Sequence, residues 1–153
     1  MSRRQQLVDA IEARLGTIVA AQTVSIHGGT SYTYQNTIKG VYPWRKTPFN
    51  QGELPAIEFW DANSEDGPGP SGQHEHRLPI VLQVSVGGSQ PASVARSLME
   101  DIVACIGVDP RWSKLANWTD ITGHGLMIEK AGDVIAGAQI LFTIRYCTPL
   151  WRL

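Results

Sequence analysis

His74, Glu75 and His76 stand at the mouth of an apolar run, in the stretch DGPGPSGQHEHRLPIVLQVSV that spans residues 66–86, and this stretch holds two of the chain's four histidines. Residues two apart on a strand point to the same side, so His74 and His76 could offer two neutral imidazoles to one metal ion, the first element of a metal-dependent hydrolase. A zinc centre needs three or four ligands. The other histidines, His27 and His124, fall in unrelated segments, with no HxxxH, no CxxC and no carboxylate at a recognised spacing. The simpler reading is a seam, where a polar loop becomes a core strand.

Other candidate chemistry is less complete. Gly87-Gly88-Ser89 lies between an apolar run and a helical pattern, the setting in which amides at a helix start hold phosphate, but neither GxxxxGK[ST] nor GxGxxG is present. A turn followed by a cap at Ser89 explains the same residues. His27-Gly28-Gly29 suggests an oxyanion loop, yet no GxSxG elbow exists to use it. The carboxylate pairs Glu58/Asp61 and Glu100/Asp101 read as solvated edges of a strand and a helix. Cys105 falls on an apolar stripe and Cys147 near a strand end, and both are read as reduced. The expectation is no enzyme, no metal and no cofactor.

The elements that carry these residues follow from periodicity. Leu7, Val8, Ile11 and Leu15 recur at helical spacing before Gly16, which predicts an amphipathic helix over residues 4–15. Gly28-Gly29-Thr30 marks a turn, residues 38–44 a short or edge strand ending at Pro43, and residues 54–61 (LPAIEFWD) a strand with Ile57 and Phe59 on its buried side. Residues 62–76 are rich in Gly, Pro, Ser and acid, which predicts a mobile loop. From Arg77 the alternation is strict: Leu78, Ile80, Leu82, Val84 and Val86 share a face. Pro91 then opens a second helix whose stripe is Val94, Leu98, Ile102, Cys105 and Ile106, ending at Gly107. A hairpin follows, residues 119–130 and 134–146 about a turn at Ala131-Gly132-Asp133, with Ala136, Ala138, Ile140, Phe142, Ile144 and Tyr146 on one face. This order predicts a single α+β domain over residues 1–153, its mainly antiparallel sheet carrying two amphipathic helices on one face.

Composition narrows the function classes. Thirteen basic against fourteen acidic residues give a formal charge of -1, which excludes the one-signed field of a nucleic-acid binder. No apolar stretch approaches the roughly 20 residues that cross a bilayer, and no signal-peptide core follows Met1, so a soluble protein made in the cytoplasm is expected. Five tryptophans are many for 153 residues. Trp112 and Trp118 are expected to cover the core. Trp44 beside Arg45, Trp60 at the start of the loop, and Trp151 beside Arg152 have the character of interface anchors, because a rigid ring loses little entropy when immobilised.

Taken together, the first helix, LPAIEFWD, the acidic loop, HRLPIVLQVSV, ASVARSLMEDIVACIG, DPRWSKLANWTDITG and the closing AGAQILFTIRYCTPLW resemble the tail terminator, or minor tail U-like, proteins of long-tailed bacteriophages. The resemblance covers most of the chain and rests on pattern, and the loop ANSEDGPGPSGQHEH is longer than in the shorter family members. It implies a structural virion protein, a homo-oligomer forming a hexameric ring at the head-proximal end of the tail, which stops polymerisation of the tail tube protein and offers a docking surface to the head-tail connector or neck protein. A neck or connector completion protein of similar fold is the neighbouring reading. On this view DNA passes through the lumen without specific binding, Asp61, Glu65, Asp66 and Glu75 lie on a lumen or docking loop where they repel phosphate, and Trp44, Arg45, Trp60 and Trp151 lie at subunit or tail-tube contacts.

Overall fold

A computed structural model describes residues 1–127 and 136–152. Helix α1 (Arg3–Leu15) starts where the Ser2 hydroxyl accepts the backbone N–H of Gln5, and it buries Leu7, Val8, Ile11 and Leu15, the stripe its spacing predicts. Strands β1 (Thr23–Ser25) and β2 (Ser31–Thr33) form a small antiparallel hairpin. Gly28 and Gly29 make its turn, both at positive φ (99° and 96°), where a side chain would be strained. The turn was legible; the short flanking strands, three residues each and largely exposed, carry no apolar alternation.

The main sheet holds β3 (Gly40–Pro43), β4 (Ala56–Asp61), β6 (Gln73–Val86), β8 (Ala136–Pro149) and β7 (Trp118–Met127) in that spatial order, with β5 (Glu65–Pro68) paired to the outer end of β6. Its pairs are antiparallel except β3 with β4. That parallel pair is joined by the crossover 44–55, which buries Phe49 and Leu54 in a small satellite core against Tyr42. The expected α+β class, with its mainly antiparallel sheet, describes the protein.

The core follows from the period of two. Leu78 faces Ile144, Ile80 faces Phe142, Leu82 faces Ile140 and Val84 faces Ala138 across β6 and β8, and each of these side chains is almost wholly buried. Helix α2 (Pro91–Gly107) lies against this row and adds Leu98, Ile102, Cys105 and Ile106. Its N-cap is Gln90, without a side-chain cap bond, so Ser89 is not the cap expected from sequence. Trp112 is fully buried, as expected, with Arg14 stacked 4.0 Å from its ring centroid and its indole N–H donated to Thr119 Oγ1 at 2.8 Å.

One expectation needs correction. Residues 62–76 are not an unpaired loop: Glu65–Pro68 is β5, antiparallel to Arg77, His76, Glu75 and His74, and β6 itself starts at Gln73. Composition argued for a loop because little apolar surface is available, but the backbone of this segment is satisfied by the protruding ends of β6 and β8, which extend the sheet beyond its core. The turn expected at Ala131-Gly132-Asp133 lies outside the described residues. Among the described residues, no helix is long and apolar enough to cross a membrane.

Candidate functional site

Trp44 leaves β3 at φ 53°, a left-handed conformation that a large side chain holds only with support from its surroundings. Its backbone N–H donates to Phe59 O at 2.9 Å, and its indole N–H donates to Asp61 Oδ1 at 2.8 Å. Arg4 of α1 pairs with the other oxygen of the same carboxylate and donates through Nη2 to Ala62 O at 2.9 Å. Partial burial pushes the Asp61 carboxyl up, but the hydrogen bonds from Trp44 and Arg4 outweigh it and hold the group below its ordinary range. Trp44 is thereby fixed at its polar edge while 62 % of the residue stays exposed. A ring so held has an apolar face available and its one donor already satisfied.

Arg45 turns the other way. Its guanidinium lies 4.1 Å from the Phe49 ring centroid and 4.7 Å from that of Tyr42, and Nη2 donates to both oxygens of Glu53 at 2.9 and 3.0 Å. The Asn50 N–H and Arg45 together hold the Glu53 carboxyl below its usual range. The group flagged from sequence as an interface cation is committed inside the 44–55 crossover. Trp60, on β4 opposite Val81, is half-buried, whereas Trp151 projects from the turn after β8 with 91 % of its surface exposed.

Three of the four acids expected on a lumen or docking loop stand directly beside bases. Asp61 pairs with Arg4, Asp66 faces His76, and Glu75 lies 3.4 Å from Arg77. Glu65 is opposite Arg77 in the β5/β6 register and shares a surface depression with Arg77, Asp120 and Arg145, where Arg145 pairs with Asp120. A sequence displays charges but not such pairings.

His74 and His76 do share a face, with ring centroids 6.3 Å apart. His76 continues the buried row of β6: it is 1 % exposed and stacks on Tyr146 at 4.8 Å. Its Nδ1 lies 2.7 Å from Asp66 Oδ1 and its Nε2 lies 2.7 Å from Thr148 Oγ1. With both nitrogens engaged, no lone pair of this ring is directed at an ion shared with His74. Among the described residues, no group of three or more His, Cys, Asp or Glu side chains is placed to hold a metal.

Two further features escaped the sequence reading. Asp101, read as a solvated edge, is fully buried and accepts Tyr32 Oη–H (2.9 Å), Gln35 N–H (3.0 Å), Asn36 N–H (3.0 Å) and Asn36 Nδ2 (2.9 Å). It ties α2 to the segment that follows β2. The signal was present: Asp101 lies three residues after Leu98 and four before Cys105, on the buried stripe. The second feature is an apolar groove of about 860 Å³ between α2 and β7, lined by Met99, Val103, Trp118 and Ile121. A register shift between Ile121 and Gly123 changes which β7 residues face the helix, something periodicity within one strand does not reveal.

The chain matches no protein-family model and no curated protein.

Proposed function

We propose that the protein is a structural subunit of a bacteriophage tail, a terminator that assembles into a ring on the head-proximal end of the tail tube, halts growth of the tube and offers a surface for head docking. The observation that carries this reading is the exposed Trp44, pinned by Asp61 and Arg4 while most of its surface remains in solvent. A large, preorganised aromatic surface on a rigid sheet is what tight self-association uses, because little entropy is lost when it is covered. Trp151 supplies a second exposed ring. The pattern of elements that resembles tail terminators supports the same reading.

In this proposal Trp44, Trp60 and Trp151 contribute to subunit or tube contacts, while Arg45 contributes indirectly by shaping the crossover behind Trp44. Asp61, Asp66 and Glu75 with their basic partners, and Glu65 beside them, form a surface without excess positive charge, which suits a channel that lets DNA pass without gripping it. Sedimentation velocity and negative-stain electron microscopy of the purified protein, alone and with tail tubes, test the reading. Closed rings that bind tube ends are expected; a protein that stays monomeric at every concentration and ignores tube ends overturns it.

A further inference from the structure

The hydrogen-bond partners around His76 leave little freedom in where its protons sit. Thr148 Oγ1 donates its single proton to Arg152 O at 2.7 Å, so toward His76 it acts as acceptor, and Nε2 must be the donor. On the other side, Asp66 Oδ1 accepts the Ser64 hydroxyl at 2.7 Å and also faces Nδ1. An ionised carboxylate oxygen requires a donor there as well. Both ring nitrogens then carry protons, and the ring is a buried cation paired with Asp66.

We propose that protonated His76 is a pH-sensitive latch that holds two peripheral segments to the end of the sheet: the β5 arm through Asp66, and the turn displaying Trp151 through Thr148 and the Arg152 carbonyl. A neutral ring has one N–H and so can keep only one of the two connections. When the ring loses its second proton, either the β5 arm or the Trp151 turn loses its attachment. Protonation of Asp66 removes the negative charge on the other side, so the latch is closed while the ring carries both protons and Asp66 is ionised. The Asp66 carboxyl is held below its usual range by the bonds from Ser64 and His76, which widens that window on the acid side.

The surrounding charges are few and mixed. From α1, Arg4 shares a surface recess with Asp66, His76 and Tyr146; from β4, Asp61 neutralises Arg4. From β8, Tyr146 stacks on the ring, and burial pushes its phenol up, so it stays neutral where imidazoles titrate. From β6 itself, His74 contacts the ring edge and also lies 6.3 Å from the Trp151 ring, and beyond it Arg152 supplies its carbonyl. Glu75 and Arg77 alternate to the other face and are paired with each other.

Nitrogen-15 spectra of the histidine rings, with amide exchange of residues 65–67 and 150–152 followed from about pH 5 to about pH 8, test the latch independently of ring assembly. Two protonated nitrogens are expected for His76 at the acid end. Exchange protection of one or both segments, corrected for the intrinsic pH dependence, should fall about tenfold as the ring loses a proton. Asp66→Ala, at a side chain 47 % exposed and therefore compatible with folding, removes the acceptor and should release the β5 arm already at about pH 5. An unprotonated His76 nitrogen in the protected state, protection that is flat across this range, or wild-type protection in Asp66→Ala would each overturn the proposal.

Discussion

The indole N–H of Trp44 donates to one oxygen of Asp61, and Arg4 holds the other, so a single carboxylate on β4 joins the residue after β3 to helix α1. This carboxylate fixes the direction of an exposed aromatic ring from below. The ring's display thus depends on two residues that are remote in sequence.

If Trp44 anchors self-association, Trp44→Ala should leave the fold intact and weaken assembly by about 2 kcal/mol or more, roughly thirtyfold in affinity. Asp61→Ala should weaken it less, because the ring remains but its orientation is no longer imposed. Sedimentation over a concentration series ranks the two; equal assembly by wild type and Trp44→Ala would remove Trp44 from the interface.

Asp101→Asn should be among the most damaging single-atom changes in the molecule. The amide that replaces one oxygen places donors against donors from Asn36, at a site with no access to water. A loss of at least ~2 kcal/mol is expected, seen as a lower urea midpoint with unchanged slope.

Arg45→Lys should act locally, because an ammonium keeps the charge beside Glu53 but loses the two-oxygen contact and the stacking on Phe49 and Tyr42, all made within one crossover. The effect belongs to the crossover. Faster amide exchange confined to residues 45–53 is the expected result, and unchanged exchange there would show that the guanidinium geometry does not hold this segment.

Acid should destabilise the fold through Asp61 and Asp109. At Asp109, burial pushes the carboxyl up but is outweighed by the N–H groups of Ser113 and Arg111 and by Arg14, so both carboxyls sit below their ordinary range. Groups that bind protons less readily when folded contribute stability above the unfolded carboxylate value, near pH 4, and lose it as pH falls through their lowered folded values. Melting temperature should hold from about pH 6 to about pH 5 and decline below about pH 4. Asp61→Asn should show a shallower decline; an identical slope would mean that Asp61 is not among the carboxylates responsible.

The α+β class, both helices, and the two long strands whose facing rows, Leu78 to Val86 and Ala136 to Tyr146, make the core were readable from residue order. These were legible because burial imposes a period of two on a strand and of 3.6 on a helix, and each period is contained within one segment. Residue order also identified Trp44 and Trp151 as rings out of the core, and His74 and His76 as lying on one side of a strand. Tertiary contacts decide what each polar group meets: that Arg45 turns back onto Glu53, that Asp61 lies between Trp44 and Arg4, that Asp101 accepts from Tyr32, Gln35 and Asn36, and that residues 65–68 pair as a strand. The reason is physical. Apolar burial is non-directional and leaves its mark on local composition, whereas a hydrogen bond or ion pair needs two particular atoms within about 3 Å, and those atoms come from segments whose separation in the chain says nothing of their meeting.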